Sequence, residues 1–422
     1  MSGVAEQGRT RLRFCLDVDP AVPSALRADP DRLVSFLPME AVGERGGLDL
    51  SREIRAGDAL SGYTFVANGD VVLAKVTPCF ENGKGAVASG LTNGVGFATT
   101  EVYTLRPRPS TDARFLDFTL QSAVFRQYGT ARLTGAGGLK RVSATDVRNF
   151  VFVVPPLDEQ RAIADFLDRE TARIDTLIEE QQRLIDLLRE RRQTSIDESV
   201  WCGIDGDIGV QSVIEPAPKV PVHWNRLRNK QILEEADGVS ADGSEELLSV
   251  SHLTGVTPRS EKNVTMIEAD SLDGYRLVEP GDLVINTMWA WMGALGVSSY
   301  SGIVSPAYGV YRPLRHAALE PRYFDYLYRS RPYVVEMTRY SRGIWSSRLR
   351  IYPEVFLRLP VPVPVPPLDE QRRIAAYLDE QTSKIDTLIA ETERFIELAR
   401  ERRSALITAA VTGQIDVRAE VA

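Results

Sequence analysis

Two loops in this chain combine glycine, hydroxyls and cations in the pattern that suits phosphate groups and base edges. The first runs Thr134-Gly-Ala-Gly-Gly-Leu-Lys-Arg-Val-Ser143 and offers Lys140, Arg141 and Ser143. The second runs Arg339-Tyr-Ser-Arg-Gly-Ile-Trp-Ser-Ser-Arg-Leu-Arg350 and offers Arg339, Arg342, Trp345, Ser346, Ser347, Arg348 and Arg350. Glycine permits close backbone approach, serine and backbone N–H groups bind phosphate, and arginine can fork onto guanine. Lys75, Thr77 and Lys84 lie in a polar strand-and-loop segment and join the candidates. Trp289 and Trp291 fit two readings, base reader or buried core. All of this is binding chemistry.

Bond-making chemistry finds little support. Adenine methylation calls for an Asn/Asp-Pro-Pro-aromatic motif and a glycine-rich cofactor loop. Val154-Pro-Pro-Leu157 lacks both the polar residue and the aromatic. No G-x-x-x-x-G-K-[ST] phosphate loop is present, and Asn82-Gly-Lys-Gly-Ala86 reads as a hairpin turn. Three histidines (His223, His252, His316) suit neither a triad nor a histidine metal site. Cys15, Cys79 and Cys202 have no zinc-ligand spacing and read as reduced, structural thiols. The chain is expected to be non-catalytic, with no metal and no cofactor of its own.

The elements that must position the loops come from an internal repeat. Residues 156–192 and 367–403 align without gaps at an offset of 211, with 24 of 37 positions identical. Weaker matches extend the repeat. Gly69-Asp70 corresponds to Gly281-Asp282, Leu105-Arg106-Pro107 to Tyr311-Arg312-Pro313, and Phe115-Leu-Asp-Phe118 to Tyr323-Phe-Asp-Tyr326. The expected fold class is α+β: two mixed α/β recognition domains (1–155 and 202–366) separated by two long helices (156–201 and 367–415), with a tail at 416–422. Strands are expected at 71–74, 85–88, 101–105 and 150–154, and in the second copy at 283–286, 295–298, 308–311 and 356–361. Short helices are expected at 114–126 and 321–338.

The long segments carry helix signals at both ends. Pro156 and Pro367 precede them, Asp158 and Asp369 sit in the first turn, and arginines cluster late. Apolar residues recur at spacings of three and four. Ile163, Leu167, Ile174, Leu177 and Leu184, with Ile374, Leu378, Ile385, Leu388 and Phe395, are the expected helix-pair or partner interface. A helix of about 40 residues is roughly 60 Å long and cannot bury a one-sided stripe alone. The two copies are therefore expected to pair antiparallel as a coiled coil. Gln181 and Thr392 interrupt the stripe at equivalent positions, either fixing register or facing solvent.

A net charge of −8 seems to oppose binding of a polyanion, but the charge is uneven. Residues 104–148 hold 8 Lys/Arg against 3 Asp/Glu, and residues 312–358 hold 10 against 4. Each copy thus has a basic region ahead of its long helix, as phosphate contacts require; a plain solvated face is the other reading. The 43% hydrophobic composition is globular, no apolar run approaches a bilayer span, and the first ten residues lack a signal-peptide core. A cytoplasmic location is expected.

Certain stretches then carry a family likeness. Val42-Gly43-Glu44, Ala74-Lys75-Val76-Thr77-Pro78-Cys79-Phe80-Glu81-Asn82-Gly83-Lys84, Thr99-Thr100-Glu101, Val220-Pro-Val-His-Trp224, Gly302-Ile-Val-Ser-Pro-Ala-Tyr308 and the doubled Pro-Pro-Leu-Asp-Glu-Gln resemble the specificity subunit of a type I restriction-modification enzyme. The resemblance covers nearly the whole chain. It implies that each domain reads one half of a split, asymmetric site on double-stranded DNA. It also implies that the helices set the gap and dock two modification (methyltransferase) subunits. S-adenosylmethionine, ATP and Mg would then belong to the modification and restriction (translocase/nuclease) subunits. The competing reading is a coiled-coil protein-interaction scaffold without base-specific DNA binding.

Overall fold

A computed structural model of the chain describes residues 8–44, 46–135, 138–205, 219–261, 271–343, 349–363 and 368–417. The chain divides into two compact units, and the division cuts both long helices. Unit 1 comprises Met1–Gln182 with Glu393–Ala422, and unit 2 comprises Arg183–Thr392.

Unit 1 is built on a four-stranded antiparallel sheet in the order Leu16–Val18, Val102–Pro107, Val71–Ala74, Gly85–Val87. A second four-stranded sheet holds Glu53–Arg55, Leu33–Leu37, Val95–Ala98 and Thr64–Ala67, with one parallel pair between Leu33–Leu37 and Val95–Ala98. Unit 2 repeats the first sheet with Leu233–Glu235, Tyr308–Pro313, Leu283–Asn286 and Leu295–Val297. Among the described residues three two-stranded pairs complete it.

The matched short motifs turn out to be one structural device used twice. Gly69 adopts φ +90° and Gly281 φ +96°, the left-handed conformation that glycine reaches without a Cβ penalty. Each turn places the following aspartate under the sheet. Asp70 receives Arg106 in a bidentate pair (Nε–Oδ1 2.7 Å, Nη2–Oδ2 2.7 Å), and Asp282 receives Arg312 likewise at 3.0 and 2.8 Å. Both aspartates are 1% exposed, and each also accepts a backbone N–H three residues upstream. The charge-assisted bonds thus offset the cost of burial and lock the central strand pair.

The expected short helices are broken in both copies. Ala113–Gln121 and Ala123–Thr130 are separated at Ser122, and Pro321–Arg329 and Arg331–Tyr340 at Ser330. Both serines have ψ 146°, outside the helical region. Their hydroxyls donate to the carbonyl three residues back, Ser122 to Thr119 (2.7 Å) and Ser330 to Leu327 (2.6 Å). Serine thereby competes with the helix and caps its end. The strand expected at 356–361 is also corrected. Pro353 opens a helical turn, Pro353–Phe356, and the strand is Pro360–Val363.

The long helices are Leu157–Cys202 and Leu368–Val411. The glutamine of each Pro-Leu-Asp-Glu-Gln motif is 1% exposed. Gln160 Oε1 accepts from the Asp112 N–H (2.9 Å), while its Nε2 donates to the carbonyls of Ser110 (3.1 Å) and Pro155 (2.9 Å). Gln371 does the same with Glu320 N–H (2.8 Å) and the Ala318 carbonyl (3.2 Å). Arg114 bridges Asp165 and Asp168, and Arg322 pairs with Asp379. The strongest sequence repeat is therefore the attachment of each helix start to its own domain.

Core packing extends that attachment. In unit 1 Phe115, Phe125 and Phe150 cluster with Ile163 and Leu167 of one helix and Ile407 and Ala410 of the other. In unit 2 Tyr311, Tyr323 and Phe356 cluster with Val200, Trp201, Ile374 and Leu378. Each fully buried aliphatic side chain contributes about 1.5–3 kcal/mol. Among the described residues no helix is long and apolar enough to cross a membrane.

Candidate nucleic-acid interface

The first loop leaves the unit 1 domain through a narrow neck. Thr134 and Arg141 exchange both backbone hydrogen bonds (3.0 and 2.8 Å), and Val142 N–H donates to the Lys75 carbonyl (3.0 Å). Thr77 staples the neck from beside it. Its N–H donates to the Lys140 carbonyl (3.0 Å), its hydroxyl accepts from the Lys140 N–H (3.0 Å) and donates to the Gly138 carbonyl (3.1 Å). Gly135 sits at φ +150°, and a Cβ there would lie 2.3 Å from the Leu139 carbonyl oxygen. Only glycine fits that position.

Unit 2 builds the same neck with other residues. Arg342 and Arg350 exchange both backbone bonds (2.8 and 2.9 Å), and Ile351 N–H donates to the Thr287 carbonyl (3.2 Å). Thr287 thus stands where Lys75 does, and Trp289 follows it by two residues, as Thr77 follows Lys75. Trp289 is 49% exposed and stacks on Trp291, ring centroids 6.3 Å apart at 17°. The open question over these tryptophans resolves toward the surface for Trp289.

Of the first-unit candidates, Lys140 and Arg141 are exposed, with no side-chain ion pair among the described residues. Ser143 is exposed and caps the next helix, its Oγ accepting from the Asp146 N–H (3.0 Å). Lys75 is half-buried, its ammonium 4.4 Å from the centre of the Tyr103 ring, and burial lowers its pKa. Lys84 donates to the Met39 carbonyl (3.1 Å). Lys75, Thr77 and Lys84 thus shape the loops in this structure, and Lys140 and Arg141 are the cations that reach outward. In unit 2 Arg339, Arg342 and Arg350 are exposed, and Arg350 also contacts the Met288 sulfur at 3.4 Å. Trp345, Ser346, Ser347 and Arg348 lie outside the described residues.

The basic regions are less available than their composition suggests. In 104–148, Arg106, Arg108 and Arg114 bind aspartates, Arg126 donates to the carbonyls of Phe80 and Gly83, and Arg132 stacks on Tyr128. What remains outward is Lys140, Arg141 and Arg148, all on or just after the necked loop. Arg148 was missed by the sequence reading, and only its place on the helix after that loop marks it.

The helix-pair assignments divide. Buried and half-buried positions recur at 160, 164, 167, 171, 174, 178, 181, 185, 188, 192, 195 and 199, alternating steps of four and three, and the second helix repeats them at an offset of 211. This is a heptad seam. Ile163, Leu167, Ile374, Leu378 and Ile385 are buried and Ile174 is half-buried. Leu177, Leu184, Leu388 and Phe395 are exposed instead, because the seam passes through the next residue, Ile178, Ile185, Ile389 and Ile396. Thr392 is buried in the seam and Gln181 half-buried, so neither simply faces solvent.

Residues 68–186 match the family model described as the type I restriction modification DNA specificity domain. That stretch of the chain is similar to the type I specificity domain. The matched stretch contains the first neck, the Asp70–Arg106 pair and the Gln160 anchor. Two Escherichia coli relatives are similar at 35% identity. One is the type I restriction enzyme EcoAI specificity subunit, over 220 residues covering 52% of this chain and 36% of that one. The other is the EcoEI specificity subunit, over 161 residues covering 38% and 27%. The chain thus spans about a third of the length of these relatives. Its fold is shared with a chain from a study of complex assembly and conformational transition of the type I R-M system (TM-score 0.73, 20% identity, 97% and 99% of the two chains). It is also shared with the HsdS subunit from Thermoanaerobacter tengcongensis (TM-score 0.56, 20% identity, 97% and 98%).

Proposed function

We propose that this chain is the DNA sequence-reading subunit of a type I restriction-modification complex. Each unit reads one half of a bipartite, asymmetric site. One observation carries the reading: both units hold a necked loop bearing outward cations on the same four-stranded scaffold, yet the side chains at equivalent positions differ. Lys75 in one unit stands where Thr287 stands in the other, and two residues further on the one has Thr77 and the other Trp289. One scaffold with two surfaces suits two different half-sites. Phosphate contacts fix position and base-edge contacts select sequence.

The long helices set the gap between half-sites and dock the partners. Leu177, Phe395 and Leu398 are exposed in unit 1, and Leu184, Leu187 and Leu388 in unit 2. The two sets are related by the 211-residue offset, which suits two copies of one modification subunit. Those subunits bind S-adenosylmethionine and methylate adenine. Restriction subunits use ATP and Mg, and this chain contributes no catalytic group.

Selection of bound sequences by the assembled complex tests the proposal. A split site with unlike halves is expected, with affinity falling steeply with salt as counterions are released. A single continuous site, two identical halves, or salt-insensitive binding would overturn it.

A further inference from the structure

In unit 2 the segment joining Leu283–Asn286 to Leu295–Val297 is two residues shorter than its unit 1 counterpart and places the Trp289 indole at the surface, stacked on a half-buried Trp291. Trp289 is 49% exposed and Met292 37% exposed. Hydrogen bonds hold the turn. Trp289 N–H donates to the Asn286 carbonyl, and the Trp289 carbonyl accepts from Met292 (2.9 Å) and Ala294 (3.1 Å). Trp291 Nε1 donates to the Met288 carbonyl (3.0 Å), and the Thr338 hydroxyl donates to the Trp291 carbonyl (3.2 Å). Gly293 closes the turn at φ +83°. Beside it, the Arg350 guanidinium lies against Met288.

An indole has one donor and no acceptor, and cannot neutralise a phosphate. In the major groove the distinctive apolar feature is the C5-methyl group of thymine. A half-exposed indole stacked on a second one, with an arginine beside the same turn, therefore has a specific use, with the cation holding the backbone while the ring meets that methyl. We propose that Trp289, backed by Trp291, selects thymine at one position of the half-site read by unit 2. In unit 1 the residue two after Lys75 is Thr77, which is committed to the loop carbonyls, so the preference belongs to one half-site only.

This inference rests on the DNA-reading role proposed above. The test measures binding of the complex with its modification subunits to duplexes in which each thymine of the recognised site is replaced in turn by deoxyuridine. One position in the unit 2 half-site is expected to lose about fourfold in affinity, the worth of one buried methyl group. Trp289→Ala removes that difference, Trp289→Phe keeps most of it, and both leave the unit 1 half-site unchanged. A unit 2 half-site without thymine, no deoxyuridine effect, or an effect that survives in Trp289→Ala overturns the inference and leaves the DNA-reading role intact. A loss of subunit assembly in Trp289→Ala assigns the indole to a protein contact and also overturns it. Absence of sequence-specific binding by the unaltered complex overturns both.

Discussion

Arg403 on the second long helix is bonded to Asp175 on the first, Nε to Oδ2 at 3.0 Å. The offset of 211 turns this pair into Asp386 and Arg192, which meet at 2.8 Å in unit 2. The repeat thus runs through the helix contacts themselves: each unit pairs the early half of one helix with the late half of the other, antiparallel. The two copies are not equally buried, however. The side chains are 11% and 26% exposed in the first pair, against 35% and 52% in the second.

Unequal burial gives unequal cost. Arg403→Ala leaves a shielded carboxylate and a broken bond to Gln121, and is expected to destabilise unit 1 by about 2–3 kcal/mol. Arg192→Ala removes a largely solvated pair and should cost under about 1 kcal/mol. Denaturant unfolding of each variant checks the contrast; equal losses would show that burial is not what separates the copies.

The motif glutamines are expected to act as anchors. Gln160→Ala removes three hydrogen bonds at a 1% exposed position and leaves the Asp112 N–H without its acceptor. A loss of about 2–3 kcal/mol follows from buried groups left unsatisfied. Hydrogen exchange should show faster opening at the start of the first long helix. A variant with unaltered protection there would remove the anchor role.

Much of this was legible in the sequence. The period-of-four-and-three stripe gave the helices, and Gly-Asp before a strand gave the turns, because both depend on local backbone rules. The seam was read one residue off at Leu177, Leu184, Leu388 and Phe395, since adjacent Leu–Ile pairs look alike to a hydrophobicity pattern. Only packing distinguishes which member goes inside. Arg403 illustrates the other limit. In the sequence it reads as a favourable charge near the helix end, whereas it lies in the seam, bonded to an aspartate 228 residues away. Similarly, the broken helices at Ser122 and Ser330 follow from hydroxyl bonds to carbonyls, which composition does not reveal. The basic regions were legible as charge, but which arginines turn inward depended on aspartates brought from far along the chain.

Asp117 gives unit 1 a pH dependence. Burial pushes its carboxyl up to about 6, against the opposing bond from Gln121 and the nearby Arg126 and Arg403. The unfolded chain ionises this group near its ordinary value of 3.8. Between pH 4 and 6 the folded state holds a proton that the unfolded chain has released, so stability falls as pH rises through that window. Asp117→Asn keeps an acceptor for Gln121 and removes the titration. The variant should be more stable above pH 6, by about 3 kcal/mol at most, and flatter between pH 4 and 6. Parallel stability curves for the two proteins would contradict this.

The exposed cations of the first loop should act as phosphate contacts. Replacing Lys140 and Arg141 together with alanine is expected to weaken DNA binding across sequences and to lower the salt slope by about 2. A changed sequence preference with an unchanged slope would instead make them base readers.

On the function proposed above, the two units read separate halves of one site. Mapping methylated positions genome-wide in cells carrying the complex tests it most directly, with the unaltered chain beside an Arg342→Ala, Arg350→Ala variant. A split site is expected, in which the variant relaxes or changes one half and leaves the other half and the gap untouched. A continuous site, or a variant that alters both halves together, would contradict it.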